Sequence, residues 1–267
     1  NAMLIYKFNL AEGATSATVD FSYISSSLNL SYASTATGAT TIDRGFEIGE
    51  GVNLTVSGAR SGRNFAVYNK SVGSKTPLFN LNGNVTLDAG VGFQLNFVNF
   101  TQGANSKIVA DKILLGANDS AGTTEATFNG TVNAAKEGSS VNVTMYGGTV
   151  NLTTNETALA KAAIVANYAD RDSVLNIVSY AKAFSYAGGS RTALNVQDGA
   201  TLVIGDGSKD YSMFNNKGTA TVNGTLELNI AGGQHGVTNA LGDMTVDGGT
   251  VVATSVGSGS SAYVLTA

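Results

Sequence analysis

The sequence predicts an all-β repeat protein, a parallel β-helix, on three observations. An apolar-x-apolar strand, a Gly-containing corner, a Thr and a second alternating strand recur along the chain. The recurrences are spaced like turns of a solenoid rather than like hairpins. The composition is that of an ordered chain with little to break strands: 267 residues, 43% hydrophobic, 13% charged, 33 Gly and one Pro.

In chain order, Asn1-Ala2 ahead of Met3 looks like the remnant of an expression tag and is set aside. Met3 to Leu10 supplies a first strand or cap, and Gly51 to Val56 an early copy of the unit. Clear copies follow at Asn80–Leu87, Ala126–Asn133, Val143–Leu152, Leu194–Val203, Ala220–Leu228 and Met244–Val252. Within each, period-2 alternation of Val, Leu and Thr argues strand. The Asn-Gly and Asp-Gly corners are expected to supply the positive φ of a tight bend. Corner glycines Gly199, Gly224 and Gly248 stand 25 and 24 residues apart and Gly130 and Gly147 stand 17 apart, a mean of about 22. At that period the chain would make roughly twelve turns, with Val and Leu ladders inside and Thr and Asn ladders outside, about 4.8 Å per rung. The competing arrangement is an antiparallel sandwich or barrel, because Asn-Gly between alternating strands also marks hairpins.

One segment breaks the pattern: Asn155 to Tyr168 is Ala-rich behind a possible Asn155 N-cap, and a short helix is expected there. Residues 3–267 are expected to form a single domain, with excursions near 59–79 and 155–191. The last residues, Ala262 to Ala267, look like a strand cut short, so the solenoid is expected to be truncated at its C-terminus and to belong to a longer protein.

The Asn-Gly-Thr-Leu and Asp-Gly-Gly-Thr-Val turns over about residues 50 to 255 resemble the passenger domains of bacterial type V autotransporters, the pertactin-like and self-associating adhesins. That resemblance implies a right-handed, pectin-lyase-like β-helix and a secreted, surface location. It also implies attachment to the outer membrane through a C-terminal barrel that these residues do not contain. Its functional implication is adhesion to a glycan or protein on a host or bacterial surface, or self-association, with a toxin passenger as an alternative.

The residues themselves carry little chemistry. Fifteen Lys and Arg against nineteen Asp and Glu give a net charge of −4, which supplies no nucleic-acid footprint. No apolar run approaches the ~18 residues of a membrane helix. Absence of Cys removes disulfides and thiolate zinc sites. The single histidine, His235 in Gly-Gly-Gln-His-Gly, resembles the Gly-His-Gly of β-helical polygalacturonases. It lacks the clustered aspartates that a hydrolase needs for acid and base work, and no Gly-x-Ser-x-Gly elbow presents a nucleophile. A carbohydrate-active lyase or hydrolase therefore stands as the alternative to a non-enzymatic protein. Asp206 to Asp210 and Asp170-Arg171-Asp172 offer too few oxygens for calcium, and Gly257 to Ser261 lacks the Lys and helix of a phosphate cradle. No cofactor or metal is expected. Eleven Asn-x-Ser/Thr triplets, Asn84, Asn129, Asn142, Asn151 and Asn223 among them, arise from the repeat and are expected to serve ladders and turns rather than glycans.

One charge feature stands out. Between Glu50 and Asp88 lie Arg60, Arg63, Lys70 and Lys75 with no acidic residue, interleaved with Phe65 and Tyr68. This island of +4 leaves eleven basic and nineteen acidic residues, or −8, elsewhere. These six residues are the sequence-based candidates for contact with an anionic glycan or an acidic partner.

Overall fold

The computed structural model describes residues 7–22, 28–32, 46–58, 62–69, 78–96, 98–116, 125–136, 139–153, 162–166, 171–205, 214–231 and 242–256. These residues form strands and connections without helix, and every strand pairing among them is parallel. The hairpin alternative fails on that point, because an Asn-Gly hairpin joins antiparallel neighbours.

Strands β1 to β26, numbered in chain order, make three sheets. The ten-stranded sheet holds β1 (Lys7–Phe8), β4 (Phe46–Ile48), β7 (Leu78–Leu81), β10 (Asn99–Gln102), β13 (Glu125–Phe128), β16 (Gly148–Leu152), β18 (Ser173–Ile177), β20 (Thr192–Val196), β23 (Thr219–Val222) and β25 (Met244–Val246). The five-stranded sheet holds β2 (Ala17–Phe21), β5 (Val52–Val56), β8 (Asn84–Leu87), β11 (Lys107–Val109) and β14 (Thr131–Asn133). The eleven-stranded sheet holds β3 (Leu28–Tyr32), β6 (Asn64–Asn69), β9 (Gly92–Asn96), β12 (Lys112–Leu115), β15 (Asn142–Met145) and β17 (Ala162–Ala166), then β19 (Tyr180–Gly188), β21 (Thr201–Ile204), β24 (Thr225–Ala231) and β26 (Thr250–Val256). A short β22 (Phe214–Asn216) joins it by pairing with β19. Up to β15 the chain visits the three sheets in rotation; from β16 it uses the ten- and eleven-stranded sheets alone, alternating between them except that β21 and β22 both lie in the latter.

Phe79, Phe100, Ala126, Val150, Leu175, Leu194, Ala220 and Met244 occupy one position in successive passes, 19 to 26 residues apart. The first two passes are longer, 40 residues from Lys7 to Glu47 and 33 from Phe46 to Phe79. The described residues therefore make ten passes through the ten-stranded sheet, against the roughly twelve turns expected of the whole chain. Alternation sends every second side chain inward. In the N-terminal half a run of Phe lies among Val, Leu and Ile: Phe46, Phe79 and Phe100 follow one another with ring centroids 4.9 and 5.1 Å apart. At the next rung Ala126 leaves room for the ring of Phe128, 5.3 Å from that of Phe100. Each fully buried ring contributes up to about 3 kcal/mol from area alone. Beyond β15 the interior turns to Leu, Ile and Val.

Two expectations are corrected. The Ala-rich segment is not a helix where it is described: Ala162–Ala166 form β17, and Asn155 to Lys161 lie outside the described residues. Ile164 is buried in register between Val143 and Tyr186, and that tertiary pairing outweighs the helix preference of alanine. The spans 59–79 and 155–191 are not excursions throughout, since β6, the start of β7, β17, β18 and β19 fall within them and pair in the sheets.

The corner glycines serve two different purposes. Gly199 and Gly248 have φ of 74° and 71°, as expected. Gly83, Gly130 and Gly224 lie outside the left-handed region. A β-carbon on Gly83 would overlap the carbonyl oxygens of Val52 and Gly49, and one on Gly224 those of Ala200 and Gln197. These glycines are required because successive corners lie directly on one another.

Candidate functional site

On the ten-stranded sheet, the rung adjacent to each inward residue faces solvent and forms one continuous column. In register it runs Lys7, Glu47, Asn80, Thr101, Thr127, Asn151, Asn176, Asn195, Thr221, Thr245. The first two are opposite charges, with Lys7 Nζ 2.9 Å from a Glu47 carboxylate oxygen. The other eight are all Asn or Thr.

The asparagines bond along the column. Asn195 Nδ2 donates to Asn176 Oδ1 at 2.9 Å, Asn176 Nδ2 to Asn151 Oδ1 at 2.8 Å, and Asn151 Nδ2 to Thr127 Oγ1 at 3.3 Å. A shorter ladder crosses the five-stranded sheet, where Asn84 Nδ2 donates to Asn53 Oδ1 at 2.8 Å. A primary amide has two donors and two acceptor lone pairs. Asn176 spends one of each on its neighbours, so a second N–H and a second lone pair remain on the solvent side. Outward positions from β16 to β23 (Thr149, Asn151, Val174, Asn176, Ala193, Asn195, Thr219 and Thr221) carry no charge.

The asparagines could be found in the sequence from the triplets Val150-Asn151-Leu152, Leu175-Asn176-Ile177 and Leu194-Asn195-Val196, where a polar residue between two inward ones must face out. Four of the named Asn-x-Ser/Thr asparagines have their amides engaged with a neighbouring pass. Asn84 and Asn151 do so in ladders, Asn129 Oδ1 accepts from Thr153 Oγ1 at 3.0 Å, and Asn223 Nδ2 donates to the Asp247 carbonyl at 3.1 Å. Asn142 is exposed.

The basic island is not assembled as the sequence suggested. Arg60, Lys70 and Lys75 lie outside the described residues, as does the side chain of Tyr68, whose backbone belongs to β6. Arg63 is exposed just before β6, its carbonyl accepting from Gly92 N at 2.9 Å. Phe65 must be withdrawn as a contact residue: it is fully buried and stacks on Phe93 with centroids 5.8 Å apart. Register explains this, since Phe65 pairs with Phe93 on the inward side of the eleven-stranded sheet.

Elsewhere, Asp172 is bound to Arg191, whose Nε donates to its carboxylate at 2.7 Å. That hydrogen bond and the guanidinium charge hold the Asp172 carboxyl below its ordinary 3.8. His235, Asp170, Asp206 to Asp210 and Gly257 to Ser261 lie outside the described residues. Among the described residues, no three His, Cys, Asp or Glu side chains gather to hold a metal ion.

Compared with protein-family models, with curated proteins and with solved structures, the chain has no match.

Proposed function

We propose that the sheets wind as a right-handed parallel β-helix and that the chain is a non-enzymatic segment of a secreted or cell-surface protein, an adhesin or self-association module like the autotransporter passengers its repeats resemble. Parallel crossover connections within a sheet are right-handed in about 98% of cases, which supports the handedness. The functional reading rests on one observation: an uncharged Asn/Thr column running through eight successive strands, with hydrogen-bonding capacity left over on its outer side.

Such a face suits lateral contact with an equally regular surface, a second copy included, because matching rungs repeat at the same ~4.8 Å and every Asn can both donate and accept. Eight strands give a height of about 34 Å, and two outward side chains a width of about 10 Å. The resulting face of about 340 Å² is less than half the ~800 Å² per partner of a stable complex. One contact would therefore be weak, and many copies arrayed on a surface would hold through multivalency.

The test is display of the chain on cells or beads at controlled density. Displaying particles are expected to clump or attach with a steep dependence on density, and Val174→Lys with Ala193→Lys, which puts cations on that face, is expected to abolish it. Equal behaviour of displaying and bare particles would sink the reading.

A further inference from the structure

The outer face of the eleven-stranded sheet departs from the Thr and Asn pattern at one place. Along β19, Tyr180, Lys182 and Phe184 point outward at alternate positions and are part-exposed, while Ala181, Ala183 and Tyr186 are buried. Strict alternation would bury the residue after Phe184 and turn Tyr186 outward. Instead the pairing with β17 slips: Ala162 opposes Ala183 and Ala163 opposes Ser185, so Phe184 has no partner rung. This β-bulge leaves both Phe184 and Ser185 on the solvent side and gives the ring a direction that the regular pleat would not.

Two aromatic rings thus bracket a cation along one strand, about 13 Å from first to last at strand rise. Beside Tyr180, the next strands carry Thr201, Thr225 and Thr250 at the same level, a row of hydroxyls. Beside Lys182 come Val203, itself buried, and then Glu227, so among the described residues the nearest carboxylate on that row is two strands away. Val178, at the corner before β19, is 36% exposed.

We infer that Tyr180, Lys182 and Phe184 form a stacking platform for an acidic glycan, the rings covering the apolar faces of sugar rings, the threonines bonding their hydroxyls and Lys182 pairing with a carboxylate or sulfate. Aromatic side chains present a large apolar face at low entropic cost, and the tyrosine adds a polar edge. The ammonium between them favours an anionic over a neutral chain of the same length. This site rests on the surface reading above and names a ligand class for it.

The full chain would be titrated calorimetrically with hyaluronan oligosaccharides, heparin oligosaccharides and neutral cello-oligosaccharides of equal length. Binding of one or both acidic series at least tenfold tighter than the neutral one is expected, and which of them wins separates a carboxylate from a sulfate ligand. Phe184→Leu, which keeps apolar bulk but not the ring, should weaken binding about tenfold, whereas Phe184→Tyr should retain it; Lys182→Gln should erase the acidic preference. Thermal melts of each variant separate loss of fold from loss of site. Equal binding of all three series, or wild-type affinity in a folded Phe184→Leu protein, overturns the proposal. Particle clumping without glycan binding overturns it while leaving the surface reading intact, and glycan binding without clumping supports it alone.

Discussion

Gly199 sits at the corner before β21 and Gly224 at the corner stacked on it before β24, and the two should lose different amounts of stability on substitution. Gly199 has φ 74° with nothing within 4 Å of its absent β-carbon, whereas Gly224 lies outside the left-handed region with no room at all. In Gly199→Ala the cost is the left-handed conformation of an L residue, about 1 kcal/mol, and Asn, which tolerates that region, should be nearly neutral. In Gly224→Ala the methyl meets the Ala200 and Gln197 carbonyls, which are backbone and cannot rotate away. Relief needs a separation on the order of 1 Å. Three bonds cross that corner: Asn223 N to Val196 O at 2.8 Å, Gly224 N to Val196 O at 3.1 Å and Thr225 N to Ala200 O at 2.8 Å. A shift of that size lengthens all three past useful range, and at about 1 kcal/mol each the loss is roughly 3 kcal/mol. Reduced unfolded-state entropy offsets both alanines equally, so the difference of about 2 kcal/mol survives. Urea unfolding of both variants, followed by circular dichroism, measures it. Equal losses, or a larger one at Gly199, would refute the argument that carbonyl overlap fixes the corner glycines.

Three further outcomes are expected. Asp111 accepts from Gly90 N at 2.8 Å on one side and from Ala135 N and Lys136 N at 2.9 and 3.2 Å on the other, so Asp111→Ala should cost about 2 to 3 kcal/mol in urea unfolding and Asp111→Asn about half. Burial pushes the Tyr186 phenol well above its ordinary 10, and its hydroxyl has no hydrogen-bond partner among the described residues. Its raised pKa means that its neutral form supports the fold below pH 10 and that this support fades only as pH rises through the folded value. Tyr186→Phe should then leave the ultraviolet titration unchanged through the first tyrosinate wave near pH 10, and loss of one tyrosine from that wave would contradict the burial. For Asp172 the sign is reversed: its depressed pKa makes the Arg191 pair effective above 3.8 and lost as pH falls through the folded value. Any stability difference between wild type and Asp172→Asn should accordingly vanish in strong acid, and shrink in high salt at neutral pH.

Strand positions were legible because one face of each strand is buried and the other is not. Val150-Asn151-Leu152 can satisfy that condition in only one orientation. The number of sheets was not legible. Asn82-Gly83 and Asn223-Gly224 look alike in the sequence, yet the first leads to β8 in the five-stranded sheet and the second directly to β24 in the eleven-stranded sheet. What differs lies downstream: β8 ends after four residues at the Asp88 bend, while β24 continues for seven. β17 was hidden because alanine reports helix preference, whereas its pairing partners lie some twenty residues away on either side. Phe65 was misjudged because the surrounding cations drew it to the surface, although its register with Phe93 places it inside. The bulge at Phe184 left no local mark, since it exists only in relation to β17.

The arrangement separates stability from recognition. Buried Phe, Leu and Val columns hold successive passes together, and the Asn ladder adds bonds between the same passes on the outside. Outward residues can therefore change with little penalty wherever the inward column and the carbonyl-bounded corner glycines are kept, because surface substitutions away from special features shift stability by only about 0.5 kcal/mol. A regular face with a uniform rung and a local departure such as Tyr180-Ala181-Lys182-Ala183-Phe184 then have distinct physical meanings. On the reading proposed above, the first would meet a surface that repeats and the second would select a particular ligand. A repeat scaffold carrying both gains avidity from its length and specificity from its irregularity, which is the combination that weak, many-copy surface attachment requires.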